Sequence, residues 1–437
     1  MRLLLIMPWE RSYRLYRDWL SPLLVYPPLT LTTLAALVPP ELNAEVHLCD
    51  EFSQTPEQYG GFYDVVVLSF TTPSARRAYA LARHYRSQGS HVVMGGYHPS
   101  FLPEEAQVHC DTVIVGPGEV AWPRFLKAFA AGRAERRYEH REVPPEAFVA
   151  PRRDLLEARG YMAISPLQVN GGCHNRCDYC AIGQMWRPAA RPVPQVMAEL
   201  RAQRQKRVVF FDPNFFQDRE YSLELLGRMK GLGIRWGCNA TVENGFDGEL
   251  LAAARDAGCA GMLLGFESFS SGSLAGVNKR INDPGRYREA VERIHRHGIN
   301  VNGCFVLGFD SDTAESLSSL PRQVEDLGID LARFAILTPY PGTRLYQKLE
   351  SEGRILTRQW HRYTQNQAVF RPKHLSADAL EQVYQEVWRE TYRIPRILRR
   401  VRQNPRADGL VRWVTLGANL AFRSVGRQCK DQQEETD

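Results

Sequence analysis

The positions of apolar side chains along the chain follow two alternating periods. Short runs rich in Val, Leu and Ile occupy residues 3–7, 46–48, 64–69, 91–94 and 112–115. Helical spacings separate them, clearest over 74–88, where Ala75, Ala78, Tyr79, Ala82 and Tyr85 share one face. Apolar strands joined by helical crossovers predict a parallel sheet covered on both faces. A charged stretch with Pro144, Pro145 and Pro151 follows and reads as a linker. A second series then begins, with strands at 167–170, 208–212, 234–240, 262–266, 301–307 and 334–337 and helices such as 222–231, 248–257 and 287–297. Six such units fit part of a (β/α)8 barrel. Beyond about residue 360 the strand signals stop. Leu380, Val383, Val387, Thr391 and Ile394 recur at helical spacing behind Ser376, a candidate cap. The predicted fold class is therefore α/β. An N-terminal doubly wound, Rossmann-like parallel sheet spans 1–135 and a linker 136–160. A partial (β/α)6 TIM-type barrel spans 161–360, and a C-terminal helical region with a polar tail spans 361–437.

A chain of 437 residues is too long for one ordinary domain, and 44% apolar with 24% charged residues excludes a disordered one. The uncharged run 19–40 carries Pro22, Pro27, Pro28, Pro39 and Pro40, too many breakers for a membrane-spanning helix. Met1 to Pro8 is too short for a signal-peptide core and reads as a first strand, so a cytoplasmic location with reduced thiols is expected. Nine cysteines, an odd number, argue against a disulfide framework. Cys49, Cys110, Cys238, Cys259, Cys304 and Cys429 are scattered and read as ordinary core or surface residues.

Charge is uneven. Between residues 389 and 427 ten arginines face only Glu390 and Asp408, a local balance of +8 against +6 for the whole chain. A general nucleic-acid binder spreads positive charge over its main domains, so no nucleic-acid partner is expected. The same arginines interleave with Ile394, Ile397, Leu398, Val401, Leu410, Trp413, Leu416, Leu420 and Phe422. Two readings stand: helices packed on the barrel with solvated arginines, or peripheral contact with an anionic membrane surface. Pro395, Pro405 and Gly409 predict several short pieces.

Parallel sheets bind ligands beyond the carboxyl ends of their strands. In the first series those ends read Ser69-Phe70-Thr71-Thr72, Gly95-Gly96-Tyr97-His98-Pro99 and Gly116-Pro117-Gly118-Glu119. In the second, the first strand leads into Gly171-Gly172-Cys173-His174-Asn175-Arg176-Cys177-Asp178-Tyr179-Cys180. Clustered thiolates select zinc, copper or iron–sulfur. No second C-x-x-C follows, so a closed zinc site would need a distant fourth ligand such as Cys238 or Cys304. Glu243, Asn244 and Tyr340 are further candidates for substrate contact, and His295 and His297 read as surface residues at a helix end.

The C-x-x-x-C-x-aromatic-C spacing, with Tyr179 as the aromatic, resembles the signature of the radical S-adenosylmethionine (SAM) enzymes. The resemblance implies that Cys173, Cys177 and Cys180 hold a [4Fe–4S] cluster whose fourth iron chelates SAM. Phe211-Asp212-Pro213-Asn214 stands where relatives carry an acidic/amide turn near the SAM amino group, which assigns Asp212 and Asn214; Pro213 departs from a second aspartate usual there. Gly265-Phe266-Glu267-Ser268 looks like the motif associated with the ribose, which assigns Glu267 and Ser268. The 303–309 segment looks like the one beside adenine, and 337–343 resembles the end of the sixth strand in one large subgroup. The first region is similar to the cobalamin-binding domain that precedes the radical SAM domain in one subfamily. That likeness rests on Tyr26-Pro27-Pro28-Leu29 and the glycine-rich loops, and it assigns Ser69, Thr71, Gly95, Gly96, His98, Gly116 and Glu119 to cobalamin. The D-x-H-x-x-G motif is absent, so cobalamin is expected base-off with no protein histidine on cobalt. His98 is then a nucleotide-loop contact or a turn residue.

By this resemblance the chain is a cobalamin-dependent radical SAM enzyme that cleaves SAM reductively to a 5′-deoxyadenosyl radical. C-methylation of an unactivated carbon through methylcobalamin is the leading reading. The alternatives are a rearrangement, cyclisation or oxidation with the same cofactors, a tRNA-modifying enzyme, and a non-catalytic metal-stabilised binding protein. The implied partners are a small-molecule or lipid-like substrate and an electron donor such as flavodoxin or ferredoxin.

Overall fold

The computed structural model describes residues 1–9, 25–157, 160–402, 404 and 409–434. Pro22, the rest of segment 10–24, Pro405 and Asp408 lie outside the described residues, as does the Cys429 side chain. Two six-stranded parallel sheets organise the rest.

The first sheet contains β1 (Arg2–Met7), β2 (Glu45–Asp50), β3 (Val65–Ser69), β4 (His91–Gly95), β5 (Thr112–Val115) and β6 (Arg137–Glu139) in the order β2-β1-β3-β4-β5-β6. Val65–Ser69 and Thr112–Val115 are buried along their whole length, as expected for strands covered on both faces. The helix Ala75–Ser87 buries Ala75, Ala78, Leu81, Ala82 and Tyr85, and Tyr79, half-buried, packs against the same core while its hydroxyl donates to Glu105. The expected linker is not free chain throughout. Arg137–Glu139 pairs with β5, and Tyr138 is buried edge-on against Phe125.

The second sheet contains β7 (Ser165–Leu167), β10 (Arg207–Phe210), β11 (Arg235–Ala240), β12 (Cys259–Glu267), β13 (Asn300–Leu307) and β14 (Leu331–Ile336) in the order β14-β13-β12-β11-β10-β7. This is a six-stranded partial barrel. Its helices carry side-chain caps at Asp218, Asp247 and Thr343 that satisfy otherwise orphaned N–H groups. Between β7 and β10, two short strands, β8 (Asn170–Gly171) and β9 (Ala189–Ala190), pair antiparallel and tie together the ends of the cysteine loop. Gly172 is required there: its φ is +68°, and a Cβ would lie 2.7 Å from the Arg187 carbonyl oxygen.

Ser376 caps the helix Ala377–Thr391, as its sequence position predicted. The arginine-rich segment forms Ile394–Val401 and then one 26-residue helix, Gly409–Glu434, rather than only short pieces. Ile397 and Phe422 are buried against the barrel core. Arg400 is buried too, donating to the Thr391 carbonyl at 2.8 Å and to Asn419 Oδ1 at 2.7 Å. Ile394, Leu398, Trp413, Val414 and Leu420 remain exposed. Among the described residues no helix is long and apolar enough to cross a membrane.

Candidate active site

The order of the first sheet reverses between β1 and β3, and ligands bind at such a switch point. A cavity of about 260 Å³ opens there. Ser69, Thr71, Gly95, Gly96, Gly116 and Glu119, all at strand ends, line it. Gln168, Met185 and Trp186 of the second half also reach it. Gly96 has φ 98° and ψ −171°, and a Cβ would stand 2.6 Å from the Phe70 carbonyl oxygen, so the backbone itself forms this wall. Burial raises the Glu119 carboxyl above its ordinary value.

His98 does not line this cavity. Its ring is fully buried, 3.3 Å from Thr72 Oγ1, 3.1 Å from the Tyr79 hydroxyl and 3.4 Å from Glu105. Trp360, from the far side of the barrel, donates to the same Glu105 at 2.9 Å. The assignment of His98 to a cofactor loop is therefore corrected: every polar atom of the ring is engaged in a joint between the two halves.

A second cavity, of about 720 Å³, lies over the barrel. Tyr179, Cys180, Glu267 and Tyr340 line it, together with Cys304 and Arg333. Thr71 and Tyr97 line both cavities, so the two adjoin.

The cysteine loop is held from several sides. Gln184 Nε2 lies 3.3, 3.1 and 3.0 Å from the carbonyls of Cys177, Asp178 and Cys180. Gln184 Oε1 accepts from the Arg344 N–H at 2.8 Å. Asp178 N–H donates to the Val277 carbonyl, and its own carbonyl accepts from Leu345 N–H. Burial pushes the Cys177 thiol up to about 11 and raises Cys173 as well. Cys180 and Cys173 raise the Cys177 thiol further, and the Lys279 ammonium lowers it.

Glu267 ends β12 with φ 65°, beyond an irregularity in pairing at Gly265, and this bulge turns its carboxylate toward the cavity. Lys279 stands 3.4 Å from it, both side chains being 11% exposed. Burial favours the neutral amine, but Glu267 and Cys177 outweigh it and raise the Lys279 ammonium.

Three other expected contacts lie elsewhere. Asp212 is fully buried, and its Oδ1 accepts from the N–H groups of Val169, at 2.9 Å, and Asn170. Asn214 Oδ1 accepts from Phe216 N–H, and Ser268 Oγ from Ser270 N–H. None of the three lines the large cavity. Backbone donors claim Asp212 Oδ1, Asn214 Oδ1 and Ser268 Oγ and so fix turns behind it, whereas Asp212 Oδ2 is buried without a hydrogen-bond partner. Asn244 likewise caps at Thr241, and Glu243 is exposed. His295 is buried against Asp330 at 2.7 Å, not on the surface. Gln184, Lys279 and Arg333 carry no linear signal that marks them, since each acquires its setting from remote strands.

The radical SAM superfamily model matches residues 167–320, the B12 binding domain model 25–126, and a domain of unknown function (DUF4070) 343–411. The first two matches fall on the two sheets and their cavities. The chain is a cobalamin-dependent radical SAM enzyme. It is 29% identical over 363 residues to the bacteriochlorophyllide d C-12(1)-methyltransferase of Chlorobaculum tepidum, covering 80% of this chain and 79% of that protein. It is 27% identical to the C-8(2)-methyltransferase of the same organism, over 90% and 91% of the two chains. Among solved structures, the radical SAM methyltransferase TsrM from Kitasatospora setae has the same fold, with a TM-score of 0.64 at 17% identity over 80% of this chain and 76% of that one.

The enzyme's cofactors are a [4Fe–4S] cluster, SAM and cobalamin. Its residues fit them. Among the described residues no three metal-ligating side chains are placed to hold a single ion. A cubane asks for less convergence, because each thiolate meets a different iron, and coordination overrides the burial that keeps these thiols protonated. The first cavity has a backbone wall at which a large ligand can lie close, the Gly96 and Phe70 main chains approaching too nearly for a Cβ to stand between them.

Proposed function

We propose that the enzyme methylates an unactivated carbon, with Cys173, Cys177 and Cys180 holding the cluster. Tyr179 and Glu267 line the SAM position, and Lys279 holds the Glu267 carboxylate in place. Ser69, Thr71, Gly95, Gly96, Gly116 and Glu119 cradle cobalamin without a histidine on cobalt, His98 being engaged elsewhere. Asp212, Asn214 and Ser268 act through the turns they fix. When bound, the cluster and SAM supply radical chemistry and cobalamin a methyl carrier. The protein's part is to keep the two sites facing one space and to exclude water. The observation that carries this reading is the sharing of Thr71 and Tyr97 by both cavities, which puts the cobalamin side beside the substrate space. The methyltransferases of similar length support methyl transfer over rearrangement.

Anaerobic reconstitution tests it. Under a strong reductant the enzyme should form both 5′-deoxyadenosine and S-adenosylhomocysteine, the latter only with cobalamin, and Cys177→Ala should lose its iron while Cys49→Ala keeps it. 5′-Deoxyadenosine without S-adenosylhomocysteine would replace methylation by a non-methylating radical reaction. A small one-electron donor such as flavodoxin or ferredoxin would serve in place of the chemical reductant.

A second reading concerns the C-terminal helices. Trp413 is 73% exposed, and Ile394 and Leu398 are exposed on a basic helix, of which Arg396 and Arg399 pair with Glu325. Such a face suits peripheral contact with an anionic membrane. Salt-sensitive sedimentation with anionic liposomes, lost on Trp413→Ser, would support it; equal sedimentation of both proteins would remove it.

A further inference from the structure

The wall of the large cavity is mostly apolar, formed by residues such as Leu263, Val306, Phe334 and Trp388. Two charged side chains interrupt it. Glu267 is already paired with Lys279. Arg333 is not paired: its Nε is buried with no hydrogen-bond partner, and no carboxylate meets it among the described residues. Its guanidinium instead lies 5.2 Å from the centre of the Phe422 ring, which also lines the cavity.

A cation set into an apolar wall without a counter-charge is unfavourable, and the guanidinium fork matches a carboxylate with two parallel hydrogen bonds. The Phe422 ring faces the guanidinium and offers it only a weak π contact in place of a counter-charge. We propose that Arg333 anchors the carboxylate of a largely apolar substrate. This rests on the reading of the large cavity as the substrate space of the methylation site. Arg333 pairs in register with Cys304, three residues before β14 ends at Ile336. Three residues of strand span roughly 10 Å. Tyr179 and Cys180 belong to the loop at the strand ends, so the anchored carboxylate lies deep and the reacting carbon lies at the substrate's far end, near the rim.

The test uses the reconstituted enzyme with cluster, cobalamin and SAM, and a matched pair of fluorescent probes, 1-pyrenebutyrate and 1-pyrenebutanol. The wild type should bind the carboxylate at least tenfold more tightly than the alcohol. Arg333→Met should bind both with the alcohol's affinity, and Arg333→Lys should keep part of the preference. If Arg333→Met does not fold, the lysine variant and the wild-type preference still decide. No preference in the wild type, or a preference intact in Arg333→Met, overturns the anchor. So does weakened SAM binding in Arg333→Met with the probe preference intact, which would place Arg333 on SAM. Probe preference in an enzyme that forms no 5′-deoxyadenosine would leave the anchor standing and overturn the proposed reaction instead.

Discussion

Replacing Gly96 with alanine tests the cobalamin cradle directly. At φ 98° and ψ −171° the position is one that residues other than glycine rarely adopt, and such strain costs about 1–3 kcal/mol. The added Cβ would also stand 2.6 Å from the Phe70 carbonyl oxygen and 2.8 Å from its nitrogen. Those atoms are engaged, Phe70 N–H with the Gly95 carbonyl at 3.1 Å and the Phe70 carbonyl with His98 N–H at 3.4 Å. Relieving the clash weakens one such bond, worth about 1 kcal/mol. The sum is about 3 kcal/mol, on the order of 100-fold in an equilibrium constant. Gly132→Ala is the control, because Gly132 has φ +66° and an added methyl there would meet no atom within 4 Å. There only the left-handed backbone matters, about 1 kcal/mol. Cobalamin affinity by absorbance titration, with urea midpoints of the cobalamin-free proteins, gives the readout. Gly96→Ala should lose affinity, stability or both to this extent, whereas Gly132→Ala should keep wild-type affinity. Equal behaviour of the two variants would refute the backbone wall.

Gln184→Ala should speed iron loss to a chelator at least tenfold, since the amide's bonds to the cysteine loop are worth about 1 kcal/mol each. Gln184→Glu should be worse, because its carboxylate faces the same carbonyls; equal iron retention in all three proteins would discount the clamp. Asp312 is pushed up to about 6 by burial, against which the N–H groups of Gly308 and Phe309 pull down. A raised folded-state pKa means that this group's stabilising contribution is complete below its unfolded value of 3.8 and is lost as pH rises through 6. Asp312→Asn should therefore gain on the wild type in thermal stability between pH 4 and pH 6, and parallel pH profiles would contradict this. Arg400→Ala leaves Asn419 and the Thr391 carbonyl without their donor inside the core, at a cost of about 3 kcal/mol. Hydrogen exchange should rise in Gly409–Glu434, and unchanged protection would show that Arg400 does not dock that helix.

Much of the architecture was written in the linear pattern. A parallel strand covered on both faces must be apolar along its length, so β3 and β5 announce themselves without reference to anything remote. The cysteine loop was equally legible as a motif, because Cys173, Cys177 and Cys180 stand within eight residues of one another, and loop glycines such as Gly96 mark where a chain must turn tightly. What sequence could not decide was which way a polar side chain faces. Asp212, Asn214 and Ser268 follow strands of the right kind, yet nearby N–H groups take Asp212 Oδ1, Asn214 Oδ1 and Ser268 Oγ, and none of the three side chains reaches the large cavity. His98 belongs to the glycine-rich loop but is drawn inward by Tyr79, Thr72 and Glu105, the last shared with Trp360 some 255 positions away. Conversely, Lys279 and Arg333 sit among ordinary neighbours in the sequence. Only the closing of the barrel brings Lys279 to Glu267 and leaves Arg333 facing a cavity without a counter-charge. Strand formation depends on local period and burial, whereas the environment of a charge is the sum of contacts from distant segments, and only the tertiary structure supplies that sum.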